Sequence, residues 1–416
     1  MRLADSIHKA ELFFLYALAF SLPILEAPKN IAVVFFAVFW LMGRALKREF
    51  RLRAPDKWEW ALLAVLAVST LSTAYNWSGG TFSDETAGLR GTLVWTGIFW
   101  LIYKGDYAGT IKIRILNFAM LGTAVGLAWG TWYVYTHARP YLEFNSAGAV
   151  TQSVVYLGIV LIAVAGRLFA REPFNSRWTL AYYWACLILF SAGLVLMGSR
   201  GGLLAVAAAA AIVMLAAIIR SPDAKARLAL ILAVIVVSGI TAYFTAPAMF
   251  QHERLFGKVA VLFGDAYKNL EYRQGDQHRV DAWRIGIAQA VQGDHPLLGV
   301  GPRKFDKIQV EKLHFDPPLD VYPFRLTHAH NLFITKWTEE GALGLIASLL
   351  LLGMFLYALS TRIDVHEWTW VAAVGALVVP VASGFFNTTW KQEHAVLAMM
   401  LLAIHFSSGR QSDLPR

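Results

Sequence analysis

The stretch LVLMGSRGGLLAV, from Leu194 to Val206, joins two strongly apolar segments near residues 178–197 and 201–219. Each segment is close to the roughly 20 residues that an α-helix needs to cross the hydrocarbon core of a bilayer. The stretch therefore predicts a membrane-spanning hairpin with a very short turn. The composition indicates a membrane protein for the chain as a whole. With 57% hydrophobic and only 16% charged residues, it has too little charge for the surface of a soluble protein.

Ten further apolar stretches resemble these two, so we predict an all-α integral membrane protein with about 12 transmembrane helices. The twelve stretches lie near 11–25, 31–46, 59–75, 90–104, 115–135, 148–166, 178–197, 201–219, 228–247, 337–359, 367–386 and 393–407. A long polar segment at 248–328 separates helices 1–9, in residues 1–247, from helices 10–12 and a short tail, in residues 329–416. The single cysteine, Cys186, excludes an internal disulfide.

The basic residues predict which side of the membrane each loop faces. One alternate set of loops holds 20 Lys and Arg, whereas the short loops of the other set hold 5. Cytoplasmic loops carry the excess of positive charge. We therefore expect both termini in the cytoplasm and the long polar segment on the opposite face. Within that segment, Val280, Trp283 and Ile287 have helical spacing, which predicts an amphipathic helix on the membrane surface.

Three arginines on the outer face are candidate anion ligands. Arg200 lies in the short hairpin turn, where a charge is costly unless it meets an anion or a wet cavity. The helix that begins there adds free N–H groups and the positive end of its dipole. Arg279 and Arg284 follow in the long segment, and a guanidinium matches phosphate oxygens in bidentate fashion. The structural alternatives are a snorkelling Arg200 and headgroup contacts by Arg279 and Arg284.

Two histidines precede the tenth stretch, in the sequence THAHN. If Thr327 or Asn331 caps the helix, His330 is expected in its first turn, where the dipole favours the neutral imidazole that a general base needs. His328 is closer to an ordinary interfacial residue. A metal site on His328 and His330 is an alternative, but the sequence supplies no evident third ligand. Glu26, in the first outer loop, is interpreted as structural beside Lys29.

Missing motifs narrow the class of protein. The stretches near 148–166, 178–197, 201–219 and 228–247 hold no ionisable residue of the kind that ion-coupled carriers bury. The chain has no phosphate-binding G-x-x-x-x-G-K-[ST] loop, so cytoplasmic ATP is not an evident energy source. Chemistry on the outer face then requires an activated substrate, and a lipid-linked pyrophosphate would suit the arginines.

Three motifs together resemble the O-antigen ligase family, within the wider group of O-antigen ligases and polymerases. His330-Asn331, a nine-residue gap and Gly341-Ala342-Leu343-Gly344 resemble its His-Asn and Gly-x-x-Gly signature, and Arg200 with Leu204 resembles its Arg-x-x-x-Leu motif. The third motif is HRVDAWRIGIAQAVQGDHPLLGVGPRKF, which begins at His278. It places Arg279, Trp283, Pro296, Gly299, Gly301 and Phe305 at the positions of the family's motif.

The resemblance implies a fold like that of the C-type membrane glycosyltransferases. It also implies transfer of O-antigen polysaccharide from undecaprenyl pyrophosphate to a sugar hydroxyl of lipid A–core, by an inverting, metal-independent reaction at the periplasmic face of a bacterial inner membrane. His330 matches the catalytic histidine, and Arg200 and Arg279 match the pyrophosphate-binding arginines. His328, Asn331, Arg284 and Arg303 are possible secondary residues. We expect no cofactor and no nucleic-acid partner, and we expect membrane lipid as a partner.

Three other functions share these features. An O-antigen polymerase would use the same donor and extend one glycan on another, and a protein O-oligosaccharyltransferase would differ only in its acceptor. A transporter of anionic lipids would use the arginines in a cavity and form no new covalent product. It would have no need for a histidine at the mouth of the site.

Overall fold

A computed structural model describes residues 2–47, 55–105, 107–137, 142–146, 149–170, 172–221, 225–245, 270–319 and 326–408 of the chain. Within these ranges the protein is built from helices and turns, with no β-strand. The α-helices are α1 (Arg2–Ser21), α2 (Glu26–Leu46), α3 (Lys57–Tyr75), α4 (Phe82–Glu85), α5 (Ala87–Gly105), α6 (Gly109–His137), α7 (Val150–Phe169), α8 (Arg177–Leu196), α9 (Arg200–Arg220), α10 (Lys225–Thr245), α11 (Leu270–Gln292), α12 (Leu332–Thr361), α13 (Trp368–Gly384) and α14 (Gln392–Ser408).

Each of the twelve predicted stretches coincides with one of these helices. Seven helices in the described ranges are long and apolar enough to cross a membrane: α2, α6, α7, α8, α9, α10 and α12. The protein is therefore an all-helical, multi-pass membrane protein. The count of twelve crossings remains a prediction, because α1, α3 and α5 are not among these seven and α13 and α14 are apolar but shorter. The prediction of a large outer loop at 248–328 falls partly outside the described residues, which resume at Leu270.

Burial separates the centre of the bundle from its periphery. Of the 18 most apolar consecutive residues of α7, 89% are buried inside the protein, whereas the corresponding fraction is 17% in α2 and in α10. The helices α13 and α9 pack against α7, and a β-carbon at Gly202 would lie 2.1 Å from the Val154 side chain. Because Gly202 has no side chain, the start of α9 packs closely against Val154 near the start of α7. The beginning of α9, where Arg200 lies, is thus held against the central helix.

The amphipathic segment forms a helix, α11, and two of its predicted apolar residues, Val280 and Ile287, lie outside the face that is buried in the protein. The buried residues are Asp281, Ala282, Ile285 and Ala288, whereas Val280 and Ile287 are more than 40% exposed. The buried face packs against α12, and the apolar face recognised in the sequence points away from it. Periodicity identified the helix, but it did not show that small residues on the other side make the contact with the protein.

Candidate active site

We call residues 270–319 the outer segment. It contacts α12 at a break in that helix. Gly341 interrupts α12 with φ 69° and ψ −169°, a conformation essentially restricted to glycine. The break exposes backbone groups that would otherwise bond within the helix, and the segment 296–301 supplies their partners. The hydrogen bonds run from Ala342 N to Pro296 O (2.9 Å), Leu343 N to Leu297 O (3.2 Å), Val300 N to Thr338 O (3.0 Å) and Gly301 N to Glu339 O (2.8 Å). The glycines of the two motifs therefore lock the outer segment onto α12.

A second contact places α11 beside the start of α12. The Thr338 hydroxyl donates to the Gly286 carbonyl at 2.9 Å, and a β-carbon on Gly286 would come within 2.6 Å of Ile334. Arg279 lies two helical turns before Gly286, and His330 lies about two turns before Thr338. The two helices thus bring Arg279 alongside His330, although about 50 residues separate them in the chain. The positive charge of Arg279 acts on the His330 imidazole.

His330 lies just outside α12, which corrects the expectation that it occupies the first turn. Asn331 is the N-cap, because its side-chain oxygen accepts from Phe333 N at 2.9 Å and Ile334 N at 3.1 Å. His330 precedes the cap in a left-handed conformation, with φ 51°. Burial lowers the pKa of His330, and the nearby Arg279 guanidinium lowers it further. The imidazole is therefore held neutral mainly by its surroundings and by one specific charge.

His328 forms a pair with His330. Their ring centroids are 4.3 Å apart, and His328 Nδ1 lies 2.8 Å from the Thr327 hydroxyl. Burial, His330 and Lys391 lower the pKa of His328 to about 3. Both rings favour the neutral state, so each has an unprotonated ring nitrogen at physiological pH.

Arg200 begins α9 at the same end of the bundle. Ser199 caps this helix through its side chain, which accepts from Gly202 N at 3.4 Å. A β-carbon at the next residue, Gly201, would lie 3.4 Å from Phe386. The adjacent Phe385 carbonyl accepts from Asn331 Nδ2 at 3.0 Å. The loop between α13 and α14 thus links the turn that carries Arg200 to the residue that follows His330.

Of the two remaining arginine candidates, the side chain of Arg284 bonds to the protein and the side chain of Arg303 is exposed. Arg284 donates to the carbonyls of Pro317 and, at 3.2 Å, Pro318, and lies 3.6 Å from the Asp281 carboxylate. These contacts hold residues 317–318 against α11. The Arg284 guanidinium therefore has hydrogen-bond partners without a substrate. Arg303 is exposed, and its backbone N–H donates to Glu339 Oε2 at 2.9 Å.

Backbone strain is concentrated around this region. Of the non-glycine residues that the structure describes, three have a left-handed backbone: Arg303, His330 and Trp390, with φ of 62°, 51° and 59°. Such conformations cost about 1–3 kcal/mol each and persist where the surrounding structure imposes them. All three belong to the outer segment or to loops next to α12, which is where the candidate residues lie.

The sequence analysis missed four charged residues of this site. Glu339 and Glu340 are 2% exposed in α12, Lys391 Nζ lies 3.4 Å from Glu339 Oε1, and Lys336 pairs with Glu340. A signal was present, because two adjacent carboxylates at the edge of an apolar stretch are rare and expensive unless they are paired. Spacing could have assigned Lys336 to Glu340, because the two residues are four apart in α12. It could not have assigned Lys391 to Glu339, because Lys391 lies in the loop between α13 and α14.

The described residues contain no group of three or more His, Cys, Asp or Glu side chains arranged to hold a metal ion. The Glu26 side chain is 77% exposed and lies 3.6 Å from Lys29, which also pairs with Glu393.

Comparison with protein families yields one match. The family model described as O-Antigen ligase matches residues 185–349, a segment that contains Arg200, Arg279, His330 and Gly341. The resemblance inferred from the motifs is thereby confirmed over this segment. A search of curated proteins finds no match.

Proposed function

Since residues 185–349 of this chain are a domain of the O-antigen ligase family, we propose that the protein transfers O-antigen polysaccharide from undecaprenyl pyrophosphate to a sugar hydroxyl of lipid A–core. The observation that carries the proposal is the half-buried His330 imidazole, whose pKa is lowered by burial and by the Arg279 guanidinium. The family match supports the proposed substrates. The His330–Arg279 pair supports the proposed proton transfer and pyrophosphate binding.

In the proposed mechanism, His330 is the general base. A sugar hydroxyl is a weak nucleophile, and a positioned neutral imidazole accepts its proton as the oxygen attacks the anomeric carbon. The C–O bond to undecaprenyl pyrophosphate breaks on the opposite side of that carbon, which inverts its configuration. The leaving pyrophosphate gains negative charge, and Arg279 and Arg200 stabilise it. Asn331 positions His330 by capping α12 and bonding the Phe385 carbonyl.

We place this reaction at the periplasmic face of a bacterial inner membrane, with both termini in the cytoplasm. The excess of Lys and Arg in the alternate loops supports this orientation. The contacts among the start of α9, the start of α12 and the end of α13 support a shared location for Arg200 and His330 at one end of the bundle. Under this orientation, that end faces the periplasm.

A reconstituted assay tests the function. Purified protein in lipid nanodiscs is given undecaprenyl-pyrophosphate-linked O-antigen, with lipid A–core as the sole acceptor. We expect lipopolysaccharide bearing O-antigen, detected by mass spectrometry. Longer donor-linked glycans would instead indicate a polymerase, and transfer only when an acceptor protein is added would indicate a protein O-oligosaccharyltransferase. Movement of the donor across the bilayer without a new covalent product would indicate a transporter.

The pH dependence of this assay tests the base. His330 must be neutral to accept a proton, and its pKa lies below the ordinary 6.5. The neutral form is therefore fully present above pH 6.5 and is lost as the pH falls through the lowered pKa. We expect kcat/KM to be constant between about pH 8 and 6.5 and to decline only below that range. An acidic limb centred above pH 6.5, with the protein still folded by its thermal midpoint, would contradict the assignment.

We propose that the reaction is independent of metal ions. The arginines supply the positive charge that a divalent cation would otherwise supply to a pyrophosphate. Prolonged incubation with EDTA is expected to leave the rate within about twofold of the untreated enzyme. Loss of activity that returns when Mg²⁺ or Mn²⁺ is added back would show that a metal takes part.

A further inference from the structure

One exposed arginine of the outer segment is held in a strained conformation. Arg303 has a left-handed backbone, with φ 62°, although glycine is the residue that ordinarily adopts such a conformation. Strain of this kind persists only where the surrounding structure imposes it, and it clusters at functional positions. The contacts around Arg303 therefore show what the fold maintains at this position.

Buried carboxylates fix the chain at Arg303 and at the residue that follows it. The Arg303 backbone N–H donates to Glu339 Oε2 at 2.9 Å, and Glu339 is 2% exposed. The next residue, Lys304, pairs with the buried Glu85 carboxylate and donates to the Asn76 carbonyl. The left-handed turn is thus bonded to α12 on one side and to the α3–α4 connection and α4 on the other.

The residue before Arg303 is fixed as well. Pro302 is buried against the start of α5, where a β-carbon on Gly88 would lie 2.9 Å from the Pro302 carbonyl carbon and oxygen. In contrast, no hydrogen bond or ion pair joins the Arg303 guanidinium to the part of the chain that the structure describes. The protein therefore fixes the backbone of this arginine and leaves its charged group available.

Arg303 shares a polar cavity with two lysines. The cavity lies between α5 and the first turns of α12, and its volume is about 90 Å³. We name it the α5–α12 cavity. Its charged lining residues are Arg303, Lys336, Lys391, Glu339 and Glu340. Lys336 pairs with Glu340, and Lys391 Nζ lies 3.4 Å from Glu339. Three cations and two carboxylates leave one net positive charge, and the cation without a partner in this set is the exposed Arg303.

This arrangement specifies the chemistry of a ligand. A guanidinium is permanently charged, and its planar fork matches the oxygens of a phosphate group in bidentate fashion. The cavity has room for several water-sized groups, which is comparable to one phosphate group. Because Glu339 and Glu340 are already paired, the charge that the site offers to a ligand is the positive one.

The cavity also lies near the proposed general base. The charge of Lys391 acts on the His328 imidazole, and the His328 ring lies 4.3 Å from that of His330. A phosphate group at Arg303 would therefore lie near the histidine pair, on the α5 side of α12. The influence of Arg279 on His330 comes from α11 instead.

We propose that Arg303 binds a phosphate group of a substrate at the mouth of the α5–α12 cavity, on a different side of the site from Arg279. The identity of the substrate rests on the proposed function, in which the donor is a pyrophosphate and the acceptor carries phosphate on its lipid A. The binding of phosphate by Arg303 does not rest on that function. Donor and acceptor present the same phosphate oxygens, and the kinetics of an Arg303 variant distinguish them.

The variant Arg303→Gln removes the charge and keeps a polar side chain. In full-length protein in nanodiscs, we expect the KM of one substrate to rise about tenfold, the loss of one charge-assisted hydrogen bond. A rise for the donor alone would assign the phosphate to undecaprenyl pyrophosphate, and a rise for the acceptor alone would assign it to lipid A–core. Two unchanged KM values would overturn the proposal. An equal rise in both would show a general disturbance of the site and would also overturn it.

Arg90→Gln is the matched control. Arg90 is also exposed, lies in α5 two residues after Gly88, and is not part of the cavity lining. Its guanidinium donates to the Ser83 carbonyl at 2.7 Å. The control thus removes one positive charge from the same end of α5, and its kinetics should match those of the unmodified protein. The same rise in KM for Arg90→Gln and Arg303→Gln would reveal a long-range charge effect and refute a specific site.

The variant Arg303→Gly distinguishes a ligand-binding arginine from a structural one. Glycine adopts a φ of 62° without strain and keeps the N–H that donates to Glu339. We expect its thermal midpoint to equal or exceed that of the unmodified protein, while the KM rises as it does in Arg303→Gln. A normal KM in Arg303→Gly would show that the side chain contacts no substrate and would overturn the proposal.

A binding measurement with inorganic pyrophosphate separates this proposal from the proposed function, because it requires no transfer reaction. Isothermal titration calorimetry gives the affinity of each protein in nanodiscs. If O-antigen is not transferred to lipid A–core, the proposed function fails. An affinity about tenfold weaker for Arg303→Gln than for Arg90→Gln would still support Arg303 as a phosphate ligand. Equal affinities for the two variants would sink it.

Discussion

The variant His330→Ala is expected to lower kcat for sugar transfer by about 10²–10⁴-fold, the range over which a general base contributes. The half-buried imidazole lies within the influence of the Arg279 charge and is the proton acceptor of the proposed mechanism. The effect should fall on kcat more than on the KM of the donor, because the pyrophosphate is held by arginines. Steady-state kinetics with purified protein in nanodiscs measure both quantities.

Two further histidine variants show whether the effect is specific. His314→Gln lies in the same outer segment with an exposed side chain, and Gln292 bonds only its backbone, so its rate should match that of the unmodified protein. His328→Gln should lose less than His330→Ala, since Arg279 acts on the latter ring. Full ligation by His330→Ala would remove the general-base assignment. A larger loss for His328→Gln would transfer that role to His328.

The variant Gly341→Ala is expected to destabilise the protein by about 4 kcal/mol or more and to abolish transfer. Its φ of 69° and ψ of −169° disfavour any side chain. A β-carbon there would also lie 2.2 Å from the carbonyl carbon and oxygen of Leu297. Since these are backbone atoms, the outer segment would have to leave the break in α12. Arg279, which that segment carries, would then move away from His330.

Gly353→Ala provides the comparison within the same helix. A β-carbon on Gly353 would meet no atom within 4 Å, so the change should alter stability by no more than about 1 kcal/mol. Thermal midpoints of the two variants in nanodiscs give the difference, and the transfer assay gives its consequence. If Gly341→Ala has the midpoint and activity of Gly353→Ala, the junction between the outer segment and α12 does not organise the site.

The helices were predictable because their cause is local. A run of about 20 apolar residues is stable in hydrocarbon only as a helix, so hydropathy alone located all twelve stretches. Arg200 and His330 were recognised for a related reason, since each is a polar group placed where an apolar helix begins. The residue types also indicated the chemistry, because guanidinium suits phosphate and neutral imidazole suits proton transfer.

The partners of these groups were not predictable, because they depend on contacts between distant parts of the chain. From the sequence, Arg279 and Arg284 were both candidate anion ligands, with Arg284 only a possible secondary one. The packing of α11 on α12 brings the first near His330, and the second donates to the carbonyls of Pro317 and Pro318.

The glycines of the motifs indicated a family from the sequence. Only the folded chain shows their physical role, which is to let the backbone of the outer segment bond to α12 at the break at Gly341. Apolar runs and residue chemistry are properties of neighbouring residues, so they can be read along the sequence. The meeting of Arg279 with His330, and the fixed backbone of Arg303, arise from packing between separate helices and loops, which no local pattern encodes.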